Sequence, residues 1–301
     1  MLSRPLQRSA LATVTAVLAL LLLLAVGPTP RAGAQSAAAV HVTIGINYNG
    51  SPGTALDLYV PDAPGEANLP VVIWTNGCAW FFACGRTGTD GIAAEFNPRG
   101  YAVAGVAVSG SGFGATPFPR QLHDIRAAIR WLRQHAGDHN LDPRRIAIMG
   151  FSSGGWTSVI AGTTSDVAVL PGEPDTNGRS AGVSSAVQAA VGFSSPTDFL
   201  QMNQWYLDNG VTGVIDHNAA NSPESLLVGC AIQTCPDKAR AANPITYVEG
   251  KEAPTLLLHG FIDPLVPHGQ SELLYDALAR AGNEATFISV ADAGHSPQQI
   301  R

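Results

Sequence analysis

The sequence predicts an α/β domain with a mostly parallel sheet, because short apolar runs alternate with helical patterns along most of its 301 residues. Strands and helices that alternate in this way build parallel sheets whose faces are covered by helices. Eight runs have the length and the apolar content of strands, and they lie at residues 40–46, 55–60, 70–75, 101–108, 145–149, 187–193, 254–259 and 285–290. The later runs are solidly apolar, which is typical of strands that are buried on both faces.

The segments between these strands are of two kinds. Apolar residues recur on one helical face at 122–132 and again at 273–278, which predicts two amphipathic helices. Residues 163–186 and 201–250 lack strand periodicity and are rich in proline, glycine and asparagine. Because open α/β sheets bind ligands at the carboxyl ends of their strands, we expect these two segments to be cap-like insertions over an active site there.

The amino terminus has the pattern of a secretory signal peptide. Arg4 and Arg8 precede an apolar run at residues 11–26, and a small-residue cleavage site then predicts cleavage between Ala34 and Gln35. The mature protein is therefore expected to be secreted, extracellular or periplasmic, with no stable membrane span. An uncleaved anchor is the alternative, but the apolar run is shorter than the ~20 residues of a good span.

The remaining chain, residues 35–301, has the length of one large α/β domain. Its acidic and basic residues are interspersed, and the formal net charge of the whole sequence is -6. No cluster of lysine and arginine is present that would follow a phosphate backbone. Composition therefore argues against a nucleic-acid partner.

Four cysteines in a chain with an export signal allow disulfides, and three pairings are possible. We predict the pairs that are local in sequence, Cys78 with Cys84 and Cys230 with Cys235, because each pair brackets a short loop. A metal site is the competing interpretation, but neither pair has the C-x-x-C spacing of zinc sites.

The motif with the clearest chemistry is Gly150-Phe151-Ser152-Ser153-Gly154, which has the form G-x-S-x-G. It follows the predicted strand at 145–149 and precedes a helical pattern, which is the context of a nucleophile elbow. Such a turn is so tight that it needs small residues on both sides of the serine. Ser152 is therefore the predicted nucleophile, and an ordinary Gly/Ser turn is the alternative.

A serine nucleophile needs a histidine to accept its proton and a carboxylate to orient that histidine. His295 follows the last predicted strand, and Asp263 follows the strand before it. The order Ser, Asp, His along the chain is the one expected of an α/β-hydrolase. Asp198 is the rival acid.

Acyl transfer also needs backbone N–H groups that bind the oxyanion. We predict that Ser153 donates one, and that Gly77 or Cys78 donates the other from the loop after the third strand. Consecutive aromatic residues in that loop line a pocket or pack in the core. The predicted pocket residues are Trp80, Phe81, Phe82 and Trp156.

Several stretches carry a resemblance to the α/β-hydrolase esterase/lipase group, which includes the hormone-sensitive-lipase-like carboxylesterases, and in particular to its BD-FAE (feruloyl esterase-like) branch. They are FPRQLHDIRAAIRWL at 118–132, NLDPRRI at 140–146 and GFSSGG at 150–155, followed by the segments at 259–267 and 293–295. The resemblance implies a Ser152, Asp263 and His295 triad and an esterase that requires no metal or organic cofactor. The chain departs from the group's His-Gly-Gly-Gly-Trp, since residues 76–80 read Asn-Gly-Cys-Ala-Trp.

The expected function is that of a secreted serine carboxylesterase that hydrolyses small-molecule or polymer-borne esters of the small acyl, acetyl or feruloyl type. A prolyl-oligopeptidase-like peptidase or amidase shares the triad order, although no propeller repeat precedes residue 70. A catalytically silent hydrolase-fold binding protein is the other alternative. Such a protein normally lacks a triad member, whereas all three are present here.

Overall fold

A computed structural model describes residues 39–62, 68–112, 117–168 and 170–300. The predicted signal peptide, residues 1–34, lies outside the described residues. The described chain contains one eight-stranded sheet in the order β1-β2-β4-β3-β5-β6-β7-β8. The strands are β1 (Val40–Ile46), β2 (Ala55–Pro61), β3 (Leu69–Thr75), β4 (Ala102–Ala107), β5 (Leu141–Phe151), β6 (Ala189–Phe193), β7 (Thr255–Gly260) and β8 (Ala285–Val290).

Most of this sheet is parallel, as predicted. β2 is antiparallel to both β1 and β4, whereas every other neighbouring pair is parallel. All eight predicted runs form strands, and β5 differs most because it begins at Leu141 rather than at residue 145. The first residues of β5 are polar, so the sequence does not show where the strand begins. Asp142 accepts hydrogen bonds from the Arg144 N–H (2.9 Å) and from Arg145 Nε (2.8 Å).

The longer helices cover both faces of the sheet. They are α1 (Thr89–Phe96), α2 (Arg120–Gln134), α3 (Ser153–Thr163), α4 (Met202–Asn209), α5 (Pro223–Val228), α6 (Pro236–Ala242) and α7 (Gly269–Arg280). Alternate residues of β3 show the two layers, since Val71 and Ile73 pack in the core with α2 and α3 while Val72 and Trp74 pack with α1. The two predicted amphipathic helices are α2 and α7.

The prediction that the later strands are buried on both faces is wrong for β8. This strand ends the sheet, and its Phe287 packs with Leu274 and Tyr275 of α7. The next side chain, Ile288, points to the opposite face and is 42% exposed. An edge strand with a helix on one face only therefore carries an apolar run without being fully buried.

The prediction that residues 163–186 cover the active site is also wrong. Arg133 of α2 donates hydrogen bonds to the carbonyls of Ser184 (2.7 Å) and Ala186, and to the carbonyl of Pro143 (2.9 Å) near the start of β5. Glu173 is buried against Arg126 and Arg130, also on α2. The segment therefore packs along α2, and its Leu170 and Pro171 line a cavity other than the one that contains Ser152.

Residues 201–250 lie differently, since they supply α4, α5 and α6 and extend to the carboxyl ends of the strands. One disulfide, Cys230–Cys235, closes a short loop inside this segment, and the other, Cys78–Cys84, closes the loop after β3. Both are the predicted pairs. Among the described residues, no helix combines the length and the apolar character that a membrane span requires.

Candidate active site

Four loops meet at the carboxyl edge of the sheet, because parallel strands end on the same side. The loop after β5 carries Ser152, the loop after β7 carries Asp263, and the loop after β8 carries His295. The loop after β3 carries residues 76–80. Ser152 and His295 line one cavity, and Asp263 lies directly behind His295. The structure thus brings together the three residues that the sequence singled out.

Ser152 occupies a backbone conformation that few residues adopt. Its φ is 59° and its ψ is -126°, at the residue that precedes the first turn of α3. The flanking glycines are required by contact with their neighbours. A Cβ at Gly150 would collide with the carbonyl of Gly154, and a Cβ at Gly154 would collide with the carbonyl of Thr75. This packing explains the G-x-S-x-G spacing and holds the Ser152 side chain at the sheet edge.

The acid and the base are joined by a short hydrogen bond. Nδ1 of His295 lies 2.7 Å from Oδ2 of Asp263, whose side chain is fully buried. The other carboxylate oxygen, Oδ1, accepts the backbone N–H groups of Leu265 and Val266, both at 2.9 Å. A carboxylate only accepts hydrogen bonds, so it fixes the proton of His295 on Nδ1 and leaves Nε2 free to accept one.

The Asp263 carboxylate is stabilised in its charged form. Burial opposes ionisation, but hydrogen bonds from His259 and His295 and the positive charge of these rings outweigh it, so the pKa of Asp263 lies well below its usual value. His259 is fully buried with Nε2 3.4 Å from Oδ2 of Asp263. Its ring is held by Ser271 Oγ at Nδ1 (2.8 Å) and by the Val266 carbonyl at Nε2 (3.0 Å).

Asp198, the rival acid, has a different role. Its carboxylate accepts the N–H of Leu200 (3.2 Å) at the start of a 3₁₀ turn and a hydrogen bond from Asn243 Nδ2 (3.0 Å). Aspartate often caps a turn in this way. The carboxylate that contacts His295 is therefore that of Asp263.

The cavity in front of Ser152 has a volume of about 70 Å³. The loop after β3 and the segment at 201–250 contribute opposite parts of its wall. Its lining residues are Ala79, Trp80, Ser152, Ser153, Pro196, Ile215, His217, Pro223, Glu224, Leu265, Val266 and His295. None of the described residues of 163–186 is among them.

The predicted oxyanion donors lie next to the nucleophile. Gly77 approaches so closely that a Cβ there would clash with Ser152 and Ser153. Its N–H donates to the side chain of Asn76 (2.8 Å), whereas the N–H of Cys78 donates to Oγ of Ser153 (3.0 Å). The N–H of Ser153 is the first of α3 and has no acceptor within the helix. Cys78 is the better placed of the two alternatives because its N–H points towards the elbow.

The four predicted pocket aromatics lie in different places. Trp80 lines the cavity in front of Ser152. Phe82 is 64% exposed and lines a neighbouring cleft beside Cys78, while Phe81 is half-buried. The prediction for Trp156 is wrong, because this ring is fully buried one layer below, where it packs edge-on against Trp80 (5.5 Å between ring centroids) and donates to the Ala242 carbonyl (2.8 Å).

Sequence reasoning did not single out His217 or Glu224. Both are buried cavity residues, and Nδ1 of His217 lies 3.0 Å from Oε2 of Glu224. They come from the segment at 201–250, where no strand or motif marks them. Their only signal in the sequence is membership of a segment expected to cover the site.

The chemistry available here is acyl transfer. A serine hydroxyl on a strained turn, a histidine oriented by a carboxylate and backbone N–H groups beside the serine are the parts that this reaction needs. In the portion of the chain that is described, no group of three or more His, Cys, Asp or Glu side chains is arranged to hold a metal ion.

Comparison with known proteins finds esterases among the relatives of this chain. Esterase LipQ of Mycobacterium tuberculosis is 29% identical over 234 residues, which cover 77% of this chain and 50% of LipQ. The chain spans about half the length of the curated relatives it matches.

Two solved structures are similar to this chain in both fold and sequence. One, described as a truncated form of carbohydrate esterase from gut microbiota, has a TM-score of 0.73 and 30% identity, covering 89% of this chain and 93% of that one. A bifunctional GH43-CE protein of Bacteroides eggerthii has a TM-score of 0.74 and 32% identity, covering 86% of this chain and 33% of that one. The BD-FAE family model matches residues 56–278. The chain therefore has the α/β-hydrolase fold and belongs to the BD-FAE family.

Proposed function

We propose that this protein is a serine carboxylesterase that hydrolyses esters through an acyl-enzyme on Ser152. The observation that carries the proposal is the 2.7 Å hydrogen bond between His295 and Asp263 behind a cavity that His295 shares with Ser152. The esterases among its relatives and the carbohydrate esterase among its structural neighbours support the reaction class.

The reaction proceeds in two halves. Oγ of Ser152 attacks the ester carbonyl while Nε2 of His295 accepts its proton, and Asp263 stabilises the imidazolium that forms. The N–H of Ser153 binds the oxyanion of the tetrahedral intermediate together with the N–H of Cys78, which exchanges Oγ of Ser153 for the substrate oxygen. The intermediate collapses, the C–O bond to the alcohol breaks, and His295 gives the proton to that alcohol. A water molecule then attacks the acyl-enzyme with His295 as base, which releases the acid and restores Ser152.

The cavity favours a short acyl group. One water molecule needs roughly 10–15 Å³ of such volume, so a cavity of about 70 Å³ has room for about five water-sized groups. An acetyl group fits within this space, whereas the aromatic ring of a feruloyl group would extend beyond it. We therefore propose an acetyl-type substrate in preference to a feruloyl ester.

We also propose that the protein is secreted after cleavage near Ala34 and Gln35. The apolar amino-terminal pattern and the two disulfides support export, because disulfides persist in oxidising compartments. Expression of the full chain, followed by amino-terminal sequencing of protein from the culture medium or periplasm, tests this proposal. Protein that stays in the cytoplasm with Met1 intact would contradict it.

The test of activity is hydrolysis of p-nitrophenyl esters from acetate to palmitate, and of methyl ferulate. Wild-type protein is expected to prefer the shortest acyl groups, and Ser152→Ala to lose a factor of about 10³ or more in kcat. Ser180→Ala, in the segment at 163–186 away from the cavity, is the matched control and is expected to retain activity. Wild-type protein that is inactive on every ester but cleaves amides would support the peptidase alternative, and inactivity on both would support the binding protein.

A further inference from the structure

A second histidine–carboxylate pair lies in the wall of the cavity that contains Ser152. The side chains of His217 and Glu224 are 1% and 3% exposed, and Nδ1 of His217 lies 3.0 Å from Oε2 of Glu224. The carboxylate accepts the Nδ1 proton, which orients the ring. The stacked ring of Tyr206, 6.2 Å away between centroids, supports it from one side.

The other nitrogen of His217 has no partner. Nε2 is buried and makes no hydrogen bond to any described residue. Trp80, in the wall of the same cavity, has the same property, because its Nε1–H is also buried without an acceptor among the described residues. The cavity wall therefore contains one residue with an unused ring nitrogen that accepts a hydrogen bond when neutral and one with an unused N–H donor.

The position of this pair in the cavity wall distinguishes it, since Nε2 of His123 and Nδ1 of His268 are also buried without partners but do not line this cavity. His259 lies in the same core region and is held at both nitrogens, by Ser271 and by the Val266 carbonyl. Buried polar groups without partners are unfavourable by about 1–3 kcal/mol each. In a wall beside the nucleophile, a bound substrate can supply the missing partners.

The ligand chemistry follows from the two groups. A hydroxyl both donates and accepts, so it pairs with a histidine nitrogen in either protonation state and with an indole N–H. An anionic group would meet the Glu224 carboxylate. A cationic group would lose its hydration against the apolar walls formed by Ile215, Leu265 and Val266, which makes its burial unfavourable.

We propose that His217 and Trp80 are specificity-determining residues that bind a free hydroxyl group of the substrate close to its ester bond. The inference rests on the proposed esterase function and narrows it to esters of hydroxylated compounds. The hydroxyl belongs either to the alcohol, as in a partly acylated polyol or sugar, or to the acyl group, as in a hydroxy acid.

Two pairs of esters test it, because each pair differs only by a hydroxyl in place of a methyl. 2-Hydroxyethyl acetate and propyl acetate report a hydroxyl on the alcohol, and methyl glycolate and methyl propionate report one on the acyl group. The measured quantity is the ratio of kcat/KM within each pair, divided by the ratio of their rates with hydroxide ion. Wild-type protein is expected to give a corrected ratio of about tenfold or more in one pair, with the preference mainly in KM.

Three variants distinguish a loss of hydroxyl recognition from a general loss of activity. His217→Phe keeps a ring in place but removes Nε2, and the corrected ratio is expected to fall to near one. Trp80→Phe removes the indole N–H and is expected to lower the same ratio, which keeps the test informative if His217→Phe does not fold. His123→Phe is the matched control, since His123 is also buried with an unpartnered Nε2 but lines a different cavity.

The outcomes are distinct. A wild-type ratio near one in both pairs, with all four esters hydrolysed, overturns the inference and leaves the esterase proposal intact. An unchanged ratio in folded His217→Phe also overturns it. Failure of wild-type protein to hydrolyse these four esters and p-nitrophenyl acetate contradicts the esterase proposal itself, whereas hydrolysis of p-nitrophenyl acetate alone overturns only the inference.

Discussion

At the residue scale, the account depends on the assignment of Asp263 rather than Asp198 as the orienting acid. Asp263→Asn is expected to lower kcat by about 10³–10⁴, because an amide no longer fixes the proton of His295 on Nδ1 or stabilises the imidazolium. Initial rates on p-nitrophenyl acetate measure this effect. Asp198→Asn is the matched control and should retain most activity, since asparagine also caps turns. The assignment is wrong if the two variants show the reverse order.

Ser153 offers a second residue-scale prediction. Its Oγ accepts the Cys78 N–H, but in the proposed mechanism only its backbone N–H contacts the oxyanion. Ser153→Ala is therefore expected to keep kcat/KM within about fivefold of wild type. A lost side-chain hydrogen bond of this kind typically contributes about 1 kcal/mol or less where the freed donor finds a new acceptor. A loss of 30-fold or more on p-nitrophenyl acetate would instead implicate the hydroxyl in oxyanion binding.

At the element scale, the elbow between β5 and α3 is the most constrained part of the site. Gly154→Ala is expected to destabilise the protein and to lower kcat/KM by at least about 10², because the new Cβ collides with the Thr75 carbonyl. Gly91→Ala in α1 is the matched control, since a Cβ there meets no atom within 4 Å. This control should be more stable than wild type by about 0.5–1 kcal/mol. Thermal unfolding and ester hydrolysis measure both variants.

The elements also show what sequence alone predicts well. The central strands were predictable because buried parallel strands are continuous apolar runs. The meeting of Ser152, Asp263 and His295 at one edge of the sheet was predictable because each follows a strand of its parallel part. The placement of residues 163–186 was not, since the hydrogen bonds from Arg133 to backbone carbonyls and the ion pairs of Glu173 leave no local pattern. For the same reason His217 was missed: its contact with Glu224 arises from the fold of an irregular segment.

At the scale of the whole molecule, buried histidines make stability depend on pH. Burial, together with the positive charge of His259, lowers the pKa of His268 from 6.5 to about 4. The unfolded chain therefore takes up a proton at this residue at a higher pH than the folded chain does. Folding stability is expected to be unaffected by His268 above pH 6.5 and to fall as the pH drops towards 4, by an amount on the order of 3 kcal/mol.

Urea unfolding at pH 7 and at pH 4.5 measures this change. His268→Gln keeps an N–H donor near Ser289 but removes the titrating ring, so the variant should lose less stability than wild type between the two pH values. Asp263 does not obscure the comparison, because a carboxylate with a lowered pKa loses its stabilising contribution only below its usual range. Equal losses in both proteins would contradict the assignment to His268.

Covalent trapping shows whether Ser152 is the nucleophile of an esterase. Diethyl p-nitrophenyl phosphate reacts with the nucleophile of serine hydrolases and leaves a stable phosphoryl group. We expect activity on p-nitrophenyl acetate to fall in proportion to labelling, and peptide mass spectrometry to find the group on Ser152. Loss of activity with the label on another residue, or full labelling of Ser152 without loss of activity, would contradict it.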